Sequence, residues 1–256
     1  MQMRNSEFNR ADALAEELDH GRAGGVKPGP EFERDGQVTW EEAYQVQSIL
    51  VKKYAPVAGF KVARKPGQPN IMAPIYSRDT YSSPVAVQTP PDELIGIELE
   101  IGFKVLSPLP APNTENYLEN LRACVAMVPV IEIVLTRLSD DPDCSPQLRL
   151  ADNQLNGGLV VGQELRDWAA FDQPEVDAYL SFGDEVVLDG MASVPAGNAF
   201  ESFRALAEMV GDHCGGLKPG HVVITGSLNG LPYIERGTPV RGEIRGLGEI
   251  AIDFPL

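Results

Sequence analysis

The sequence predicts an α+β fold, a short helical region at residues 1–56 leading into one strand-rich domain at 57–256. Three observations carry this. Apolar residues near the start recur at helical spacing, "GIELEIGFKV" (96–105) alternates with period two, and "VPVIEIVL" (128–135) is a continuous apolar run of strand length.

The elements follow in order. From Ser6, the apolar Ala11, Leu14, Ala15 and Leu18 share one helix face, and glycines 21, 24 and 25 end the run. After a Gly/Pro-rich loop, Thr39-Trp40-Glu41-Glu42 reads as a capping box, with a helix to about Tyr54. "VAGFKVA" (57–63) reads as a strand, and the Pro- and Ser-rich 64–84 as a loop. "ENLRACVAM" (119–127) is helical by pattern. Later strands are expected at 157–165, in a hairpin over 176–190 turning at Gly183-Asp184, and at 221–228. Asn198 is placed to cap a helix with Phe200, Phe203, Leu206, Ala207 and Val210 on one face, and 240–254 reads as a hairpin turning at Gly246-Leu247-Gly248.

Composition narrows the function. The chain has 256 residues, 43% of them hydrophobic, enough to bury a sizeable core. A formal net charge of −16 without a basic cluster argues against nucleic acid or an anionic membrane as partner. No apolar run reaches the length of a membrane span, and the opening residues lack the order of a signal peptide, so a cytoplasmic protein is expected. Cys124, Cys144 and Cys214 are far apart and in no metal spacing, which suits buried thiols in a reducing compartment. His20, His213 and His221 fall at element ends, where structural roles are expected. Neither a nucleophile elbow nor a phosphate loop is present.

The candidate chemistry lies in acids on strands. With Ile95, Ile97, Leu99, Ile101, Phe103 and Val105 on one face, Glu98 and Glu100 project together from the other, their Cα atoms roughly 6.5–7 Å apart. At an effective dielectric of 20 two such charges repel by about 2–2.5 kcal/mol, and by far less in water, so a solvated outer face is the plain reading of this pair alone. Glu132 is different. It is flanked by apolar residues on both sides, and an unpaired carboxylate there costs several kcal/mol. Either a salt bridge with Arg137 or Arg122 neutralises it, or the three acids converge on a hard divalent cation that removes repulsion and desolvation together. Without a Cys/His cluster, that cation would be Mg²⁺ or Mn²⁺ rather than zinc.

These pieces, in this order, resemble a known family. The strand "GIELEIGF", then "VPVIEIV", "LADN" (150–153), "VVITGSL" and the terminal "GEIRGLGEIAIDF" look like the fumarylacetoacetate hydrolase superfamily. "GFKVA" with the N-terminal helices resembles its 2-keto-4-pentenoate hydratase / 4-oxalocrotonate decarboxylase branch. The resemblance runs from about Ala11 to Phe254. It implies a mixed β-sheet roll or barrel with short flanking helices, a homo-oligomer, and a divalent metal at Glu98, Glu100 and Glu132. The implied substrate is a small 2-oxo acid, taken as the 2-hydroxy-dienoate and hydrated to a 4-hydroxy-2-oxo acid. Lys61 matches the branch's active-site lysine, and proximity to a cation would bring its pKa toward neutrality. Asp152 and Thr225 match positions that line the site, the first through metal-bound water, the second through the substrate carboxylate.

Two departures stand out. Where the branch has an aspartate in a Pro-Asp-Phe-Gly-like segment, this chain reads Gln68-Pro69-Asn70-Ile71, and Asn70 can orient substrate or water but not take a proton. The branch's Gly-His-Pro becomes Gly197-Asn198-Ala199. Three activities are compatible with the residues: hydration, decarboxylation or C–C cleavage of a related 2-oxo acid through a metal-bound enolate, and a binding or biosynthetic role without hydratase activity.

Overall fold

The computed structural model describes residues 10–139 and 143–256. The helices are α1 (Arg10–Arg22), α2 (Trp40–Tyr54), α3 (Tyr117–Ala123), α4 (Pro146–Ala151) and α5 (Ala199–Met209). In chain order the strands are β1 (Val57–Ala63), β2 (Ile71–Tyr76), β3 (Thr80–Ser82), β4 (Val85–Ala86), β5 (Ile95–Val105), β6 (Val125–Val134), β7 (Asn156–Val161), β8 (Glu175–Phe182), β9 (Glu185–Ser193), β10 (Val222–Ser227), β11 (Tyr233–Ile234), β12 (Val240–Ile244) and β13 (Gly248–Asp253). The expected start of α1 at Ser6 lies outside the described residues.

The strands form two mixed sheets. The larger runs β2-β1-β10-β5-β6-β7-β3 with β11 also on β5, and the smaller runs β4-β13-β12-β8-β9. The inward face of β5, Ile97, Leu99, Ile101 and Phe103, shares one core with Leu180 of β8, Val240 and Ile244 of β12, and Ile250 and Ile252 of β13. Phe200 and Phe203 of α5 close this core against Phe103 and Trp168. The large sheet's other face carries a smaller apolar layer of Ile75, Val128, Val130, Leu159, Val222 and Ile224. A third cluster joins α1 and α2 to α4, so the N-terminal helices share a core with residues near 150. The buried Gln47 amide ties them further, donating to the carbonyls of Leu150 (2.8 Å) and Met72 (3.2 Å). No helix among the described residues is long and apolar enough to cross a membrane.

The α+β architecture is as the sequence predicts, with sheets covered by a few short helices. Local signals hold closely. The Thr39 hydroxyl accepts the Glu42 N–H at 3.1 Å while the Glu42 carboxylate accepts the Thr39 N–H at 2.8 Å, and Asn198 caps α5 through Oδ1. Two readings change. Residues 64–84 are not a continuous loop, because β2 and β3 lie within them. Pro74 is tolerated in β2 because that strand is the sheet's edge, where a missing N–H breaks no outer ladder. The helical pattern of 119–127 stops at Ala123, since Val125 and Met127 are claimed by the core and begin β6.

Candidate metal centre and active site

Antiparallel register decides where the acids meet. Glu98 of β5 lies directly opposite Glu132 of β6, and Glu100 is opposite Val130, so all three carboxylates project from the same sheet face. One ligand oxygen from each lies within 4.8 Å of the others. Like charges placed opposite one another weaken a sheet, and here the expense is heightened by burial. Glu100 is 2% exposed and Glu132 fully buried, so the outer face is not the solvated one that Glu98 and Glu100 alone suggested.

Lys61 answers the question of what neutralises Glu132. Its Nζ donates to both Glu132 oxygens, at 2.7 and 2.8 Å, and to the Gln154 carbonyl at 3.1 Å. Strands β1 and β6 are separated by β10 and β5, roughly 14 Å of sheet if flat, so a strong curl brings the two side chains together. Gly59, two residues before Lys61, permits the close pairing of β1 with β10, because a Cβ there would fall 1.8 Å from the Val222 carbonyl oxygen. Asn156 Nδ2 adds a further donor to Glu132, at 2.8 Å. The arginines considered from sequence are used elsewhere, Arg137 on Asp152 and Arg122 on Asp172.

The electrostatics describe a crowded acid site. Burial first, and then the neighbouring Glu132 carboxylate, push Glu98 up to about 7. Burial, Glu132 and Glu98 push Glu100 well up, against the opposing pull of Lys61 and the Gly226 N–H at 2.6 Å. Burial alone would lower Lys61. The carboxylates of Glu132, Glu98 and Glu100 together outweigh it and hold the ammonium above its ordinary value. This is the field of the acids themselves, whereas the fall toward neutrality expected from the sequence concerns the cation-loaded site. Three hard oxygen donors that repel one another in a buried site fit a divalent cation, which would compensate the charge that Lys61 balances only in part.

Glu98 and Glu100 open onto a cavity of about 300 Å³, lined also by Lys61, Gln154 and Thr225, with Arg64 and Lys65 in its wall, while Glu132 lies buried behind Lys61. Thr225 lines it, and its hydroxyl donates to the Ile101 carbonyl at 2.8 Å, leaving lone pairs rather than a proton for a ligand. Asn70 does not line the cavity. It is exposed at the end of the 64–70 connection, immediately before β2.

Asp152 is also absent from the wall. It is buried and paired with Arg137, whose backbone N–H donates to Oδ2 at 2.8 Å and whose guanidinium reaches the carbonyls of Asp152 and Asn156, both at 2.8 Å. This arginine staples both ends of a turn in which Asn153, Gln154 and Leu155 all have positive φ (51°, 51° and 64°). Non-glycine residues in that region each cost on the order of 1–3 kcal/mol and persist only when their surroundings hold them. The staple supplies that hold and aims the Gln154 carbonyl at Lys61. Sequence reasoning missed Gln154, Asn156 and Arg64. The only local signal was the polar "DNQLN" run between a helix and a strand.

No family model matches the chain. By sequence it is 29% identical over 157 residues to a 2-hydroxyhexa-2,4-dienoate hydratase of Comamonas testosteroni, a match spanning 61% of this chain and 59% of that relative. It is 24% identical over 230 residues to a 2-keto-4-pentenoate hydratase of Paraburkholderia xenovorans, covering 84% of this chain and 83% of the relative. Both relatives are hydro-lyases by name. Among solved structures, the 4-oxalocrotonate decarboxylase of Pseudomonas putida G7, complexed with magnesium and adipate, superposes with a TM-score of 0.82 at 18% identity, covering 98% of this chain and all of that one. A fumarylpyruvate hydrolase from Pseudomonas aeruginosa, in complex with Mn²⁺ and pyruvate, gives 0.52 at 16% identity over 77% of this chain and 88% of that one. The chain thus has the fold of the fumarylacetoacetate hydrolase superfamily, and its sequence resemblance is to the hydratases of the 2-keto-4-pentenoate branch.

Proposed function

We propose that this chain is a divalent-metal-dependent lyase acting on a 2-oxo acid, and specifically a hydratase that adds water to a 2-hydroxy-dienoate to give a 4-hydroxy-2-oxo acid. The observation that carries the reading is the meeting of three carboxylates from two strands, within 4.8 Å, beside an ammonium group at the wall of an accessible cavity. Similarity to proteins named as hydratases supports hydration over other chemistry of a 2-oxo acid.

Glu98, Glu100 and Glu132 would hold Mg²⁺ or Mn²⁺, which supplies Lewis-acid stabilisation of charge on the substrate's 2-oxygen. The chain's own contribution is proton traffic and orientation. Lys61, fixed by Glu132 and the Gln154 carbonyl, would give a proton to the far carbon of the diene as the 2-hydroxyl loses its own. That tautomerisation yields an enone, and water then adds at its β-carbon while a proton enters at the α-carbon. Lys61 is the residue assigned to both donations, regaining its proton first from the 2-hydroxyl and then from the adding water, so that it ends the cycle protonated. Asn70 and Asp152 are left out of the catalytic set, because neither reaches the cavity.

Incubation with 2-hydroxypenta-2,4-dienoate and, separately, with oxalocrotonate in the presence of Mn²⁺ tests the reading. Hydration of the dienoate that stops on addition of EDTA is expected. CO₂ release from oxalocrotonate without hydration of the dienoate would reassign the chain as a decarboxylase, and inertness toward both would sink the enzymatic proposal.

A further inference from the structure

A second cavity, of about 270 Å³, adjoins the one onto which Glu98 and Glu100 open. Ala63, Lys65 and Gln154 stand in the walls of both, so the two spaces are neighbours across those side chains. The second is different in character. Trp40 at the start of α2, Ile71 at the start of β2, Leu150 of α4 and Leu155 give it apolar walls, and among the described residues no acid lines it. Lys65, Gln68 and Arg149 also border it, but all three are exposed, whereas Leu150 is fully buried, which puts the apolar surface at the inner end. Leu155 reaches this wall in the left-handed conformation, φ 64°, within the turn that Arg137 staples. A bulky residue held in that region is the kind of stored strain that concentrates at ligand sites.

Strand β1 connects the two spaces. Lys61 and Ala63 lie two residues apart on it, so their side chains leave the same face with Cα atoms roughly 6.5–7 Å apart. Resting on the metal-dependent reading above, we infer that the preferred substrate is a 2-oxo acid with an apolar tail, alkyl or aryl, which passes over Ala63 and lodges against Trp40, Ile71 and Leu155 in the second cavity. The first cavity takes the chelating head and the conjugated carbons beside Lys61. Each space alone is at or below the small end of ligand sites, and the two together admit a longer chain. The methyl side chain of Ala63 leaves the way between them open, and the flanking Lys65 presents an apolar stem while its charge stays in solvent. Burial of the tail supplies the selectivity, about fourfold in affinity for each methylene taken out of water. Ala63 and Trp40 are thus specificity residues, the first setting the width of the passage and the second the apolar surface beyond it.

Titration calorimetry of the Mn²⁺-loaded protein with 2-oxopentanoate and 2-oxooctanoate separates head from tail, since both carry the same chelating group and differ by three methylenes. The wild-type chain should bind 2-oxooctanoate about tenfold or more tightly. Ala63→Leu, which narrows the passage, should reduce that preference to about twofold or less with 2-oxopentanoate binding unchanged, and Trp40→Ala should reduce it by about threefold or more, again without affecting the shorter acid. Equal binding of the two acids by wild type, a preference that survives both substitutions, or equal weakening of both acids in Ala63→Leu overturns the inference. Repeating the titrations in EDTA keeps the premise separate. If 2-oxopentanoate binds equally with and without Mn²⁺, the metal reading falls, and a preference for 2-oxooctanoate that still depends on Ala63 and Trp40 would uphold the second cavity as the tail site.

Discussion

Replacing Glu98 by Gln should stabilise the metal-free protein at alkaline pH. Burial and Glu132 push this carboxyl up to about 7 from an ordinary 4.5. Between those values the folded chain retains a proton that the unfolded chain has released, so stability falls as pH rises through that window and stays low above it. At about 1.4 kcal/mol per pH unit the full penalty is about 3 kcal/mol, an upper figure because Glu98 is coupled to two other acids. Glutamine keeps the shape without the charge. Urea unfolding in EDTA at pH 8 should show the variant more stable by about 1–3 kcal/mol, a midpoint rise on the order of 5 °C in a thermal scan. At pH 5 the gain should shrink to about 1 kcal/mol or less. Mn²⁺ should invert the order, since saturating metal at a hundred times its dissociation constant adds about 2.7 kcal/mol to wild type and little to a variant that has lost a ligand. A variant less stable than wild type at pH 8 in EDTA, or one that gains as much from Mn²⁺, would refute the account of the acid cluster.

Three further outcomes are expected. Because Glu98 must shed a proton to ligate, Mn²⁺ affinity should rise by about tenfold per pH unit up to about pH 7, with the raised Glu100 acting in the same direction; a flat profile from pH 5.5 to 8 contradicts this. Lys61→Met should lower turnover by about 10²-fold or more while calorimetry still records Mn²⁺ binding, and a wild-type rate would remove Lys61 from the chemistry. Arg137→Met should cost about 3–5 kcal/mol in urea unfolding, because it strands the buried Asp152 and frees the left-handed turn. A loss below about 1 kcal/mol would mean that other contacts hold Gln154 in place.

Much of this molecule was written locally. The alternation of 96–105, the apolar run around Glu132, the Thr39 capping box and the Asn198 cap each depend on neighbours within a few residues, and each appears where the pattern put it. The three acids could be singled out because a carboxylate amid strand hydrophobics is conspicuous without any knowledge of its surroundings. Residues 71–76 could not be recognised as a strand, since Pro and the flanking serines describe a loop unless an edge position is available, and edges exist only once a sheet has assembled.

The sequence by itself determined which residues were unusual and which elements carried them. Their partners were settled by tertiary structure alone. Lys61, rather than Arg137 or Arg122, meets Glu132 because the large sheet curls across two intervening strands. Asp152 leaves the cavity because Arg137 holds it, and Gln154 enters because that same arginine pins a turn that few side chains would choose. Local preference acts through bonded neighbours and is legible in one dimension. The pairing of charges follows from register and curvature between strands far apart in the chain, and these exist only in the folded molecule.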